Sequence, residues 1–301
     1  MTKSCEALAD RLLDSFVQVG GINHIDGVNL PSKRAVAEIT EQLLHLLFPG
    51  FYDNCAMTGN LAEAVRKQLD RVKEGLRPEL LKSLEYYPPS GSVGDLSKVL
   101  DEKLEGFLCC LPCIRELLST DVKAAYEGDP ASGSFEEIIL AYPGIEAIAV
   151  QRLAHQLYRL GVALIPRMMT EWAHSRTGID IHPGAKIGSY FFIDHGTGTV
   201  IGETCEIGTR VKVYHGVTLG ARSTSGGQQL RGKKRHPTIE DEVTVYPGAT
   251  ILGGETVVGK GSTIGGNVFL VASVPPQSLV YYEEHSVVMK SKLRQDLDFV
   301  I

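Results

Sequence analysis

The chain lacks any uninterrupted apolar run of the roughly 18 residues that a membrane-spanning helix requires, although 43% of its 301 residues are apolar. The first ten residues, Met1 to Asp10, carry acidic side chains and none of the apolar stretch found in secretory signal peptides. We therefore expect a cytoplasmic protein without membrane contact. The length and apolar content suffice for two structural units with a packed core.

An excess of positive charge and a cysteine framework are also absent. The chain has 30 Lys and Arg residues against 36 Asp and Glu residues, a net charge of −6, which excludes a broad nucleic-acid footprint. Its six cysteines do not make a disulfide scaffold in a chain this long. Cys109 precedes a Cys110-Leu-Pro-Cys113 motif in an apolar helical run, where we predict buried, inert thiols. A redox pair or half of a zinc site are the alternatives.

Residues 1–178 are predicted to form an α-helical domain. Runs of β-branched residues are few, and helix boundaries are clear: Ser32 is a typical N-cap before an amphipathic stretch that Pro49-Gly50 closes. We interpret the apolar stripes of this half as core or as contacts between subunits, and not as a cofactor site.

Residues 179–282 carry an aliphatic side chain at nearly every sixth position. A helix repeats its buried face every 3.6 residues and a half-buried strand every second residue, so neither explains this period. Hexapeptide repeats are typical of a parallel β-helix, in which three short strands form each coil. The repeated positions are Ile181, Ile187, Ile193, Ile201, Ile207, Val213, Leu219, Ile239, Val245, Ile251, Val258, Ile264 and Leu270.

The repeat is interrupted at two places that point to function. Two extra residues stand near Gly196-Thr-Gly198, and the segment from Gly220 to His236 forms a long excursion rich in Gly, Lys and Arg. A solenoid accommodates insertions at its corners, where they project outwards and often form the binding face. We therefore predict that the functional site lies beside residues 194–198 and 220–236.

Titratable side chains gather around the first interruption. Asp194 and His195 precede it directly, and His215 lies one coil further along, roughly 5 Å away if the strands stack. Asp180 precedes His195 by slightly less than one coil and is placed to orient the imidazole. Together with His236 on the excursion, this pattern favours a catalytic Asp-His dyad over a solvated surface histidine.

A zinc site is the alternative interpretation of these histidines. His195, His215 and His236 are possible zinc ligands across a subunit boundary. The aspartates nearby, and a cationic run within residues 231–235, suit a carboxylate or phosphate ligand better. We therefore predict no metal.

Five sequence blocks resemble the signature of the serine O-acetyltransferase family. They are Asp180-Ile-His-Pro-Gly-Ala-Lys-Ile-Gly188, Asp194-His-Gly-Thr-Gly198, Val200-Ile-Gly-Glu-Thr204, Gly216-Val-Thr-Leu-Gly220 and Arg235-His-Pro237, with Gly128-Asp-Pro-Ala131 upstream. The resemblance covers roughly residues 120–280. It implies an α+β fold, an N-terminal α-helical domain followed by a left-handed parallel β-helix, and acetyl transfer from acetyl-CoA to L-serine in cysteine biosynthesis.

The resemblance also implies a role for individual residues. His195 is the general base and Asp180 its partner. Asp129, from the helical domain, and Asp194 hold the serine amino group, while Arg235 and His236 reach its carboxylate and side chain. Acetyl-CoA lies near Gly220, Ala221 and Gly248, with Lys260 a candidate for its phosphates, and the Ala221 backbone N–H is our choice of oxyanion donor.

Assembly and partners follow from the same resemblance. It implies a homotrimer or a dimer of trimers with sites between subunits, and feedback inhibition by L-cysteine. The polar tail, residues 283–301, ends at Ile301 and is implied to dock in O-acetylserine sulfhydrylase; a frayed chain end is the alternative.

Two other functions remain open at the level of sequence. One is a hexapeptide acetyltransferase that acts on a sugar or another small hydroxyl or amine. The other is a scaffold that only binds a partner enzyme.

Overall fold

The fold is described from a computed structural model, which describes residues 3–52, 60–88 and 95–283. The helical part of these ranges contains eight α-helices, none of them long and apolar enough to cross a membrane. Their bounds are α1 Lys3–Gln18, α2 Lys33–Leu47, α3 Leu61–Tyr86, α4 Leu96–Cys109, α5 Leu111–Gly128, α6 Phe135–Ala141, α7 Pro143–Arg159 and α8 Ile165–Thr177.

Local sequence signals set several of these helix boundaries. The Ser32 hydroxyl accepts a hydrogen bond from the Ala35 N–H, so the predicted N-cap of α2 is confirmed. Helix α8 ends at Thr177. The C-cap that follows is Gly178, whose φ of 69° is the left-handed conformation that glycine adopts readily. The chain then enters the first strand at Asp180.

The prediction of buried cysteines in one continuous helix is wrong. Helix α4 ends at Cys109, Cys110 lies between the helices, and Pro112 occupies the first turn of α5, where its missing N–H does no harm. Leu111 lies on the buried face of α5. Cys109 and Cys113 are consequently exposed, and Cys110 is half-buried.

The second half is a parallel solenoid whose short strands form three sheets. The strand orders are β1-β4-β7-β10-β13, β2-β5-β8-β11 and β3-β6-β9-β12-β14, here called sheets A, B and C. The strand bounds are β1 Asp180–Ile181, β2 Lys186–Ile187, β3 Phe192–Asp194, β4 Val200–Ile201, β5 Glu206–Ile207, β6 Lys212–Tyr214, β7 Thr218–Gly220, β8 Thr238–Ile239, β9 Thr244–Val245, β10 Thr250–Leu252, β11 Val257–Val258, β12 Thr263–Ile264, β13 Phe269–Leu270 and β14 Leu279–Val280.

The register of the strands stacks the six-residue repeat into three aliphatic ladders. In sheet A, for example, Ile181 pairs with Ile201, Ile201 with Leu219, and Leu219 with Ile251. Most of the repeated side chains are almost fully buried. The predicted order of a helical region followed by a parallel β-helix is therefore confirmed, and both interruptions of the repeat lie between strands.

The helical region packs on the first coil of the solenoid through α5, α7 and α8. Asp121 of α5 and Arg152 of α7 form a buried bidentate ion pair, at 2.9 and 2.7 Å. Arg152 also donates to the carbonyl groups of Ile187 and Gly188, and Asp121 accepts from the N–H of Phe191. This network anchors both helices to the turn before β3. It thereby places the end of α5 beside the candidate site.

Candidate active site

The corner between sheets C and A carries the first group of candidate residues. His195 follows β3 with a φ of 59°, and Gly196 continues with a φ of 81°. A Cβ atom on Gly196 would lie 2.4 Å from Ile179 Cδ1, so only glycine fits there. The tight turn leaves the His195 side chain 72% exposed, as a group that acts on a substrate must be.

Neighbouring coils stack as predicted at this corner. Asp194 pairs with Tyr214 in the ladder, and the ring centroids of His195 and His215 are 5.6 Å apart, edge to face. The carboxylate Oδ1 of Asp194 lies 3.7 Å from His195 Nε2. Two imidazoles and a carboxylate therefore share one edge of the solenoid.

Asp194 is buried beside a lysine that sequence reasoning missed. Lys212 Nζ lies 3.6 Å from Asp194 Oδ2 and donates a 2.6 Å hydrogen bond to the Gly128 carbonyl. The ammonium also lies over the rings of Phe192 and Tyr214. Lys212 thus connects the solenoid to the end of α5. The strand register could have identified Lys212, because it pairs with Phe192 and stands two residues before Tyr214.

Asp129, the residue after α5, is brought to the same corner. Its carboxylate accepts hydrogen bonds from the Tyr142 hydroxyl at 2.6 Å and from the Ala131 N–H at 2.8 Å. The Tyr142 hydrogen bond, followed by that from Ala131, lowers the pKa of Asp129. The same contact raises the pKa of Tyr142 to about 12. Asp129 is therefore an anion at neutral pH.

Asp180 has a different partner from the predicted one. Its Oδ1 accepts a 3.1 Å hydrogen bond from Arg167 of α8, and among the described residues no ion pair joins it to His195. Asp180, Glu171 and His174 are close enough to hold a cation together. The Arg167 guanidinium already pairs with both carboxylates of that cluster.

A second group of candidate residues lies where the long excursion returns to sheet B. Arg235 pairs with Glu203, which also accepts a 2.8 Å hydrogen bond from the Tyr158 hydroxyl. Burial raises the pKa of Glu203, but the hydrogen bonds from Arg235 and Tyr158 outweigh it and lower the pKa overall. His236 is 7% exposed. Burial, and then the Arg235 charge, lower the pKa of His236 to about 4.

The two groups occupy different corners of the prism. His195 stands between β3 of sheet C and β4 of sheet A, whereas His236 stands between β7 of sheet A and β8 of sheet B. The two groups therefore lie apart within one chain, and we call them the His195 half-site and the His236 half-site.

The residues predicted to contact acetyl-CoA are also divided among the corners. Gly220 is the last residue of β7 in sheet A and pairs with Leu252 of β10. Ala221 follows it on the His236 side. Gly248 lies on the His195 side, where its backbone is 3.5 Å from the position of a Gly216 Cβ atom. Lys260 is at the third corner, with its ammonium 3.2 Å from Glu242.

Sequence reasoning missed further residues in the His236 half-site. Arg235 contacts both Glu203 and Thr204. The Tyr158 hydroxyl donates to Glu203. Glu203 and Thr204 stand in one of the family-like blocks, which was the signal for them. Tyr158 lies on α7, far from that block, and no sequence pattern connects them.

A parallel solenoid with a histidine and carboxylates at one corner, opposite a basic segment, defines the class of hexapeptide-repeat acyltransferases. No family model matches the chain. It is 47% identical over 260 residues to the plasmid serine acetyltransferase of Synechococcus elongatus, covering 83% of this chain and 81% of that protein. The chain therefore belongs to the serine acetyltransferase family.

Solved structures agree with this assignment. Serine acetyltransferase isoform 3 of Entamoeba histolytica, in complex with cysteine, matches with a TM-score of 0.73 and 34% identity over 97% of both chains. The Neisseria gonorrhoeae enzyme in complex with serine matches with a TM-score of 0.54 and 27% identity, over 86% of this chain and 98% of that one. The activity is thus that of an acyltransferase that acetylates serine.

Proposed function

We propose that His195 is the general base that takes the proton of the serine hydroxyl as its oxygen attacks the thioester carbonyl of acetyl-CoA. Histidine is the side chain that most often acts as a general base, and an exposed imidazole is accessible to the substrate hydroxyl. The oxygen–acyl bond then forms, the carbon–sulfur bond breaks, and the imidazolium returns its proton to the CoA thiolate. The exposure of His195 beside Asp194 and Asp129 is the observation that carries this proposal.

The charges of the two half-sites complement a free amino acid. Asp129 and Asp194 offer carboxylates to the ammonium group, and Lys212 partly offsets the charge of Asp194. Arg235 offers a guanidinium to the carboxylate of serine, with His236 beside it. A sugar substrate would have no use for this pair of opposite charges.

The remaining site residues keep their proposed roles. Asp180 remains the proposed partner of the His195 imidazole, although its carboxylate pairs with Arg167 in this structure, and the Ala221 N–H donates to the tetrahedral oxyanion. Acetyl-CoA passes Gly220, Ala221 and Gly248 and reaches Lys260 with its phosphates. Because Ala221 lies on the His236 side and Gly248 on the His195 side, this path also runs between two subunits. Residues 1–178 and 179–282 act as a helical unit and a catalytic unit, in a cytoplasmic enzyme.

The direct test measures CoA released from acetyl-CoA with L-serine, a panel of sugars and small amines. Release that depends on serine supports the proposal. Release that depends on a sugar or amine would assign another hexapeptide acetyltransferase activity, and no release with any acceptor would favour the scaffold.

Assembly follows from the separation of the half-sites. We expect a trimer or a dimer of trimers, in which the His195 half-site of each chain meets the His236 half-site of the next. Coexpressed His195→Ala and Arg235→Ala chains, each inactive alone, should regain about a quarter of wild-type activity, because that share of interfaces in a random trimer joins two intact halves.

Differently tagged chains and light scattering verify the mixed assembly. No recovery in verified mixed trimers, or an active monomer, would contradict a shared site.

Inhibition by L-cysteine is a second expectation. Cysteine has the ammonium and carboxylate groups of serine, and two related structures contain cysteine. Asp129→Asn should raise both the KM for serine and the Ki for cysteine by about tenfold or more, because the ammonium group loses a charged hydrogen-bond acceptor. Steady-state kinetics with both ligands measure the two constants.

Asp70→Asn, an exposed substitution on α3, is the matched control and should change neither constant. Inhibition that does not compete with serine would argue against a common pocket.

The C-terminal tail keeps its proposed role in docking to O-acetylserine sulfhydrylase through Ile301. Apart from Glu283, this segment lies outside the described residues. The proposal is supported by the family and by the capture of terminal carboxylates as a known recognition mode.

A further inference from the structure

One threonine hydroxyl contacts the backbone of both Arg235 and His236. Thr204 Oγ1 accepts hydrogen bonds from the backbone N–H of Arg235 at 2.9 Å and of His236 at 3.1 Å. A hydroxyl group has two acceptor lone pairs and one proton. Both lone pairs are thereby engaged, and the hydroxyl can act in a further hydrogen bond only as a donor.

The ring nitrogen Nδ1 of His236 is the acceptor that faces this proton. It lies 2.9 Å from Thr204 Oγ1, and the backbone N–H of Thr204 donates to the same nitrogen at 3.1 Å. A nitrogen that accepts hydrogen bonds in the plane of the ring carries no proton. The proton of the neutral imidazole therefore resides on Nε2.

The charges around the ring favour the same neutral state. Burial is the main cause of the lowered pKa of His236, and the cations Arg235 and Lys234, together with His182, act in the same direction. Glu203 opposes them, but its carboxylate is engaged by Arg235. With a pKa of about 4, the imidazole stays uncharged at physiological pH.

We infer that Thr204 is a positioning residue that fixes His236 as the neutral Nε2–H tautomer, so that His236 serves serine only as a hydrogen-bond donor. A second imidazole that accepts protons would compete with His195 for the substrate hydroxyl, and this arrangement prevents it. The donation from His236 to serine rests on the proposed function, whereas the position of the His236 proton does not.

Nitrogen NMR on the full-length protein, labelled with 15N-histidine, tests the tautomer without reference to activity. The His236 signals are identified by their loss in His236→Gln. We expect an unprotonated Nδ1 and a protonated Nε2 from about pH 8 down to about pH 5. A protonated Nδ1 at neutral pH would overturn the inference.

Kinetics of Thr204→Val and Thr204→Ser test the positioning role. The valine variant loses the hydroxyl at nearly the same volume, and we expect its KM for serine to rise about tenfold, with a smaller change in kcat and mixed His236 tautomers. The serine variant retains the hydroxyl and should restore both the KM and the tautomer. Thr40→Val, which removes a buried hydroxyl in α2, is the matched control and should leave the KM unchanged.

Two outcomes separate this inference from the proposed function. A wild-type tautomer in Thr204→Val, or a failure of Thr204→Ser to restore the KM, would show that the hydroxyl does not position His236. Wild-type protein that releases no CoA with serine would instead contradict the proposed function, and the NMR result alone would then decide the tautomer.

Discussion

Replacing His195 with alanine is expected to lower kcat by about 10²- to 10⁴-fold, the usual contribution of a general base. The fold and the oligomer should persist, because the side chain is 72% exposed and contributes little buried area. The measurement is CoA release at saturating serine and acetyl-CoA, with circular dichroism and light scattering on the same samples.

His24→Ala is the matched control, since His24 is exposed and lies between α1 and α2. It should retain wild-type turnover. If His195→Ala kept more than about half of the wild-type kcat, His195 would not be the base.

The second large effect concerns stability. Arg152→Ala should lower the free energy of unfolding by about 3–5 kcal/mol, because it leaves the Asp121 carboxylate buried without its partner. The two side chains are 4% and 0% exposed, so solvent cannot replace the lost contact. Urea denaturation at one fixed protein concentration measures the change, since oligomerisation makes apparent stability depend on concentration.

Two variants make this result specific. Arg159→Ala removes an exposed arginine from the same helix and should change the free energy of unfolding by less than about 0.5 kcal/mol. The double variant Asp121→Leu with Arg152→Met should be more stable than Arg152→Ala, because no charge is left unpaired. Equal stability of the wild type and Arg152→Ala would contradict the anchoring role of the pair.

The ion pair also influences where the carboxylates of Asp129 and Asp194 lie. Asp121 holds α5, and α5 ends at Gly128 directly before Asp129. A Cβ atom on Gly144, in the first turn of α7, would lie 2.5 Å from the Ile193 carbonyl oxygen. Both helices therefore touch β3 immediately before Asp194. The helical region therefore supplies Asp129 and packs against the strand that carries Asp194, the two carboxylates proposed to bind the ammonium group.

The period of six is sufficient by itself to predict the solenoid. It could do so because each coil repeats the same contact, so that one aliphatic side chain enters each sheet and stacks on its equivalent in the next coil. The register of Ile181 with Ile201 and of Asp194 with Tyr214 follows from this repetition. The stacking of His195 near His215 was predictable for the same reason.

The cysteines show where local reasoning failed. An apolar run around Cys110 suggested one buried helix, but Pro112 starts a new helix there, and the tertiary contacts of Leu111 decide which face is buried. Burial depends on what packs against a helix, which the local sequence does not contain.

The sequence by itself determined the repeat, the corners at which it is interrupted, and the identity of His195, Asp194, Arg235 and His236 as candidates, because these are properties of local spacing and of the family-like blocks. Only the tertiary structure decided which of them meet. It separated the His195 half-site from the His236 half-site, gave Asp180 to Arg167, and brought Lys212 and Tyr142 to the carboxylates. These contacts join residues that are distant along the chain, and their geometry depends on how the helices pack on the solenoid.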